Sequence, residues 1–230
     1  MVQVNADGPE VSLKVVYYGP ALSGKTTNLQ ALFQRIDPSV RGRLMTLDTK
    51  DDRTLFFDML PVTLRGDSGL TVKLKLYSVP GQVMHESTRR LVLQGTDAVV
   101  FVADSRRGEA PSTVSSWSEM LANLRANGVD PDDVPIVVQM NKRDLPDARG
   151  ADEFHDLPGA ASATFVPAVA IRNEGVVETL HTLLGLAFRR LDRMLGVGHT
   201  WQIDEEQFLG DIFARVDVAG TSVPAAGVAR

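Results

Sequence analysis

The run Gly19-Pro20-Ala21-Leu22-Ser23-Gly24-Lys25-Thr26 constrains this chain more than any other stretch. Its spacing is G-x-x-x-x-G-K-[ST], that of a phosphate-binding loop (P-loop) set between a strand and a helix. Both flanks have the required character. Val11-Ser12-Leu13-Lys14-Val15-Val16-Tyr17-Tyr18 reads as a β-strand, and Leu29, Leu32, Phe33 and Ile36 recur at helical spacing after the loop. In such a turn Gly19 and Gly24 let the backbone approach an anion without a Cβ in the way. Backbone N–H groups over Gly19, Ala21, Leu22, Ser23, Gly24, Lys25, Thr26 and Thr27 then face the anion together with the helix N-terminus. Lys25 adds a full charge near the β- and γ-phosphates, and the Thr26 hydroxyl can ligate Mg²⁺. A chance glycine-rich turn is the alternative, and the two flanks argue against it. The stretch is read as nucleotide-binding.

The 230 residues suffice for one α/β domain with a full core and something extra. Apolar content of 43% and charged content of 23% are those of a soluble globular chain. The longest apolar runs are strand-sized, so no transmembrane helix is expected. The N-terminus lacks the basic region and apolar core of a signal peptide. There is no cysteine, which excludes disulfides, thiolate metal sites and prenyl or palmitoyl anchors, and fits a reducing cytoplasm. Net charge is −5 with no basic block, so nucleic acid is not an expected partner.

Residues 1–10 are polar and carry Gly8 and Pro9, the composition of a flexible lead-in. After the P-loop helix, which should end before Pro38, residues 43–49 alternate as a second strand. Residues 55–64 and 71–78 flank a turn signature at Gly66, Asp67 and Gly69, and read as a hairpin. In the second of these, Val72, Leu74, Leu76 and Ser78 share one face. A short helix is expected through Arg89 to Leu93, and a strand buried on both faces over 98–103. Residues 112–126 form an amphipathic helix on Val114, Trp117, Met120, Leu121 and Leu124. Residues 134–140 make another buried strand, 146–162 a loop with at most a short helix, and 164–169 a last strand. A helix from 174 to 195 turns Val176, Val177, Leu180, Leu183, Leu184, Ala187 and Leu191 inward. Strands alternating with helices imply a mostly parallel sheet with helices on both faces.

Ligands of such sheets sit at the carboxyl ends of the strands. The P-loop, Pro80-Gly81-Gln82, Asn141-Lys142-Arg143-Asp144 and Ala168-Val169-Ala170 each follow a strand, so four signals meet at one edge. The Asp144 carboxylate can accept from both N1–H and the 2-amino group of guanine, a pair of bonds adenine cannot reproduce. Asn141 and Lys142 would brace that loop against the P-loop and the base. Taken alone the four residues could be a solvated charged loop; their position after a buried strand, downstream of a P-loop, favours guanine.

With these residues the chain resembles Ras-like small GTPases, and more narrowly the MglA group of bacterial GTPases that set cell polarity and drive gliding motility. The resemblance covers about residues 11–195. It rests on Val15-Val16-Tyr17-Tyr18-Gly19-Pro20, Asp52-Arg53-Thr54-Leu55-Phe56-Phe57-Asp58, Tyr77-Ser78-Val79-Pro80-Gly81-Gln82, Phe101-Val102-Ala103-Asp104-Ser105 and Asn141-Lys142-Arg143-Asp144-Leu145-Pro146. It implies a Ras-like P-loop G domain that hydrolyses GTP to GDP with Mg²⁺. Thr54 would join Thr26 on the ion, Gly81 would donate its N–H to the γ-phosphate, and Gln82 would orient the attacking water. Arg53 would act as an arginine finger in cis. Ala170, next to Val169, would offer its N–H to guanine O6. The implied partner is a roadblock-fold dimer resembling MglB that accelerates hydrolysis, besides effectors of polarity or motility.

Two departures accompany the resemblance. Ser78 stands where most Ras-like chains have an aspartate; the MglA group also lacks that aspartate, and the change should loosen the outer hold on Mg²⁺. Ala21 stands where that group usually has glycine, and its methyl should crowd Gln82 and an incoming arginine. The expectation is therefore a slow GTPase dependent on its partner, with a GTP-binding scaffold of impaired hydrolysis as the alternative. Past residue 195, a linker over 196–203 leads to a short amphipathic helix at about 204–216, with Phe208, Leu209, Ile212, Phe213 and Val216 on one stripe. Asp204-Glu205-Glu206-Gln207 has the form of a capping box. That helix either packs back on the domain or docks a partner, and residues 217–230 read as a flexible end.

Overall fold

Val15, Val16, Tyr17 and Tyr18 are all fully buried, which a strand achieves only with covered faces on both sides. The computed structural model describes residues 3–5, 9–47, 57–81, 86–154, 157–160 and 163–216. Its elements in chain order are β1 (Gln3–Asn5), β2 (Glu10–Tyr18), α1 (Lys25–Arg35), β3 (Met45–Leu47), β4 (Phe57–Arg65), β5 (Thr71–Ser78) and α2 (Glu86–Leu93). There follow β6 (Ala98–Asp104), α3 (Ala110–Ala126), β7 (Ile136–Asn141), β8 (Thr164–Pro167), α4 (Val176–Leu195), α5 (Val197–Trp201) and α6 (Glu205–Phe213). Among the described residues the strands make one eight-stranded sheet, ordered β3-β4-β5-β2-β6-β7-β8, with β1 paired to β2. Pairings from β5 through β8 are parallel, whereas β3–β4, β4–β5 and β1–β2 are antiparallel.

The sheet divides two apolar layers. On one face Val15, Tyr17 and Val100 meet Leu29 and Leu32 of α1 and the long apolar stripe of α4. On the other, Val16, Tyr18 and Phe101 meet Leu93 of α2 and Trp117, Met120 and Leu124 of α3. All seven residues of β6 are buried: the apolar run 98–103, as its composition requires, and Asp104 at its end. The α/β, mostly parallel architecture read from the sequence is the one observed.

Three local expectations change. Within the stretch read as a lead-in, Gln3–Asn5 pairs with residues 10–12 of β2, along the part of that strand's edge that β6 leaves open. Val114 is exposed on α3 and Thr113 is buried in its place, because the helix begins earlier than expected, at Ala110, and turns a slightly rotated face inward. The linker at 196–203 contains a short helix, α5, entered through Gly196 at φ 61°.

The C-terminal helix α6 is part of the core. Asp204 caps it by accepting from the Gln207 N–H at 2.8 Å. Phe208, Leu209, Ile212 and Val216 are buried, and the Phe208 ring lies 4.9 Å from that of Phe188 on α4. Asp211 accepts from Ser68 and from the Asp67 N–H at the β4–β5 turn, and the Asp37 N–H donates to the Arg215 carbonyl at 2.9 Å. Its apolar stripe is spent on the domain itself rather than offered to a partner. We predict that Phe208→Ala lowers stability by about 3–5 kcal/mol, the usual cost of emptying a buried aromatic site. Denaturant unfolding measures this; a change below about 0.5 kcal/mol, the range of surface substitutions, would mean that α6 does not contribute to the core.

Candidate functional site

The phosphate loop joins β2 to α1 at the carboxyl edge of the sheet. Gly24 sits at φ 105°, and a Cβ there would come within 2.2 Å of Asn141 Nδ2, so glycine is required twice over. Lys25 is buried, with Nζ donating to the Gly19 carbonyl at 2.9 Å and the Pro20 carbonyl at 2.6 Å. Burial pushes its ammonium down to about 7, Arg89 and Lys142 push the same way, and Asp58 opposes them. An incoming polyphosphate would restore the charged form by supplying the anion that the site lacks. Leu22, at φ 58°, is 85% exposed, so at this position the loop presents backbone rather than a packed side chain.

An open cleft of about 640 Å³ runs from this loop across the edge of β3, β4 and β5, and Ala21, Thr26, Thr27, Asp58 and Gly81 line it. Gly81 follows β5 directly against the phosphate loop: a Cβ on it would meet Ala21 Cα and N at 2.5 Å. Arg89, buried on α2, donates to the neighbouring Pro80 carbonyl at 3.4 Å and pairs with Glu119. Arg53, Thr54 and Gln82, expected to act on the γ-phosphate, lie outside the described residues.

The Asn141-Lys142-Arg143-Asp144 loop meets the phosphate loop through one side chain. Asn141 Nδ2 donates to the Ser23 carbonyl at 2.7 Å, and its Oδ1 accepts from the Ala170 N–H at 2.9 Å. The Ala170 N–H, expected to serve guanine O6, is thus engaged with Asn141. Val169 closes the same turn by exchanging backbone bonds with Glu174. Lys142, held at φ 66°, donates to Asp104 Oδ2 at 2.6 Å. Burial raises the Asp104 carboxyl, but the donors from Arg106 and Lys142 outweigh it and hold the group below its ordinary value. Asp144 sits at the loop's outer end with Arg172 Nη2 at 3.3 Å, an exposed cation beside the carboxylate meant for guanine.

Two features escaped the sequence reading. Gln139 exchanges amide bonds with Asn28 at 2.8 and 2.9 Å and donates to Thr179 at 2.9 Å, so α1, β7 and α4 are tied beneath the phosphate loop. A glutamine inside the apolar run 136–140 was its available signal. The second is Asp58, buried on β4, which accepts from Thr26 at 2.7 Å, Ser78 at 2.7 Å and Thr46 at 2.8 Å. Its signal was parity: Leu60, Val62 and Leu64 point into the core, and the period of two carries Asp58 to the same face. A donor set of hydroxyl and carboxylate oxygens fits a hard cation such as Mg²⁺. Among the described residues no group of three or more His, Asp or Glu side chains could hold a metal by itself. Thr26 alone of the expected metal ligands is described, and it faces Asp58. No helix among the described residues is long and apolar enough to cross a membrane.

Comparison with known proteins agrees with this geometry. The model of the ADP-ribosylation factor family matches residues 3–185. The chain is also 40% identical over 190 residues to the mutual gliding-motility protein MglA of Myxococcus xanthus (strain DK1622), covering 83% of this chain and 97% of that protein. Since the family match runs through every strand of the sheet and the loops between them, the chain belongs to the ADP-ribosylation factor family of Ras-like small GTPases.

Proposed function

We propose that the chain is a cytoplasmic molecular switch that binds guanine nucleotide, hydrolyses GTP to GDP and phosphate, and controls cell polarity or motility. One observation carries the reading: Asn141 joins the phosphate loop, the Asn-Lys-Arg-Asp loop and the Ala170 turn into one site. A phosphate site at fixed distance from a guanine-reading carboxylate selects one class of ligand. The similarity to the gliding-motility protein MglA supports the process. The switch domain is assigned to 11–195, with the extension 196–230 after it.

In this reading Lys25 and the loop N–H groups bind the β- and γ-phosphates, and Asp144 takes the two donors of guanine. Thr26 and Thr54 hold Mg²⁺, which supplies positive charge against the phosphate oxygens. Gly81 donates to the γ-phosphate, Gln82 orients the attacking water, and Arg53 faces the charge that builds as the bond to the β–γ bridging oxygen breaks. Intrinsic turnover is slow. A roadblock-fold dimer resembling MglB accelerates it by reorganising the segment around Arg53 and contributes no arginine of its own.

A second reading, a GTP-binding sensor with impaired hydrolysis, draws on the contact of Gly81 with Ala21. Gly81 lies against the Ala21 backbone, so in this reading the extra methyl at position 21 would crowd Gln82 and an incoming arginine. A single-turnover GTP assay, with and without the activating dimer, separates the two. Phosphate release that the dimer accelerates is expected; none in either condition would favour the sensor.

Two sets of variants follow. Asp144→Asn should lose two charge-assisted bonds at about 1.5–3 kcal/mol each, weakening GDP on the order of 100-fold or more while admitting xanthine nucleotide. Unchanged GDP affinity by titration calorimetry would remove Asp144 from the base site. Arg53→Ala and Gln82→Leu should each slow partner-stimulated hydrolysis by roughly 10³-fold or more with little change in nucleotide affinity. Ala21→Gly should raise the rate. Equal rates for the parent and Ala21→Gly would dismiss the crowding argument, and full activity in Arg53→Ala would put the finger elsewhere.

A further inference from the structure

The buried carboxylate of Asp58 has a geometry that the roles above do not use. Thr46, Asp58 and Ser78 are direct cross-strand partners on β3, β4 and β5, so they form one rung at the edge nearest the phosphate loop. The rung's three side chains converge: Ser78 donates to Asp58 Oδ2 and Thr46 to Oδ1. A fourth hydroxyl arrives from α1, that of Thr26, on Oδ2. Among the described residues, the side chains that donate to this buried carboxylate are the neutral hydroxyls of Thr26, Thr46 and Ser78.

From this arrangement we propose that Asp58 is the positioning residue for the Mg²⁺ of the nucleotide site, working through the Thr26 hydroxyl. A hydroxyl that ligates a cation must turn its lone pair to the ion and its proton away, toward an acceptor. Asp58 Oδ2, 2.7 Å from Thr26 Oγ1, is that acceptor. The same oxygen adds negative charge behind the ligand, which raises its affinity for the cation. The rung also explains how Ser78 is tolerated where related chains carry an aspartate. Because Asp58 lies directly across from Ser78, a carboxylate on either strand reaches the same point, and here β4 supplies it. The serine hydroxyl then steadies it, and the Asp58 N–H lies 3.4 Å from the same Ser78 oxygen.

The inference rests on the guanine-nucleotide reading and is tested by GDP release, followed with a fluorescent GDP in excess Mg²⁺ and again in a chelator. In the parent, Mg²⁺ slows release. Asp58→Ser is expected to lose at least about tenfold of that slowing, the usual scale for removing a partner of a metal ligand, while release in chelator stays within about twofold. The exchange variant Asp58→Ser/Ser78→Asp returns the carboxylate to the rung from the other strand and is expected to restore the Mg²⁺ effect. Asp58→Ser with an undiminished Mg²⁺ effect overturns the proposal. Should that variant prove unfolded by circular dichroism, the exchange variant decides: Mg²⁺-slowed release supports the proposal, and a folded, GDP-binding exchange variant indifferent to Mg²⁺ overturns it. A parent that binds no GDP would sink the switch reading and this inference together. A parent whose Mg²⁺-dependent release survives Asp58→Ser sinks this inference alone.

Discussion

The side chain of Asn141 is the constraint on which the site depends. It is buried at the end of β7, two strands away from β2 and its phosphate loop, and its amide donates to Ser23 and accepts from Ala170. A buried amide left unpaired costs about 1–3 kcal/mol, so neither loop can drift without exposing that cost. The bond also dictates Gly24, since the amide nitrogen occupies the space a Cβ would need. One residue thus sets the distance between the place for phosphate and the place for the base.

Beneath that tie the fold adds a second polar layer inside an apolar frame. The Asn28–Gln139–Thr179 chain links the helix after the phosphate loop to the strand that ends on Asn141 and to α4. Every partner in it is buried, and each amide is satisfied by the next, which makes the arrangement rigid rather than merely tolerated. Charge is handled in the same way. Asp104 is fully buried yet ionised, because Lys142 and Arg106 both donate to it. Lys25 is the exception: among the described residues its ammonium donates to carbonyls and its affinity for the proton falls, which leaves it suited to an anion that comes from outside.

Much of this was legible in the residues. The strand-loop-helix around Lys25, the apolar run 98–103 of β6, the hairpin of β4 and β5 and the stripe of α4 all follow from period and punctuation. What was not legible depends on register. That Thr46, Asp58 and Ser78 share a rung requires knowing which residue of β4 stands opposite which of β5, and the alternation fixes only the face. Thr113 is buried in place of Val114 while Trp117, Met120 and Leu124 keep the expected face, because the helix starts two residues earlier and its inward face is slightly rotated. The strand at Gln3–Asn5 carries no periodic signal in three residues; it exists because β2 has an edge to offer. Conversely, the capping residues of α6 were readable, and so was its stripe, whereas the surface that receives it is assembled from α4, β4 and the turn at Ser68.

The most direct test of the account is a paired titration of the purified chain with GDP and ADP in the presence of Mg²⁺. The two ligands offer the same diphosphate to Lys25 and the loop, and differ only in the base presented to Asp144. A site built to pair with guanine rejects a base that leaves its carboxylate unmatched, by a factor on the order of 10⁴. The account predicts tight GDP binding and ADP binding weaker by about that factor. Comparable affinities for the two diphosphates would contradict it.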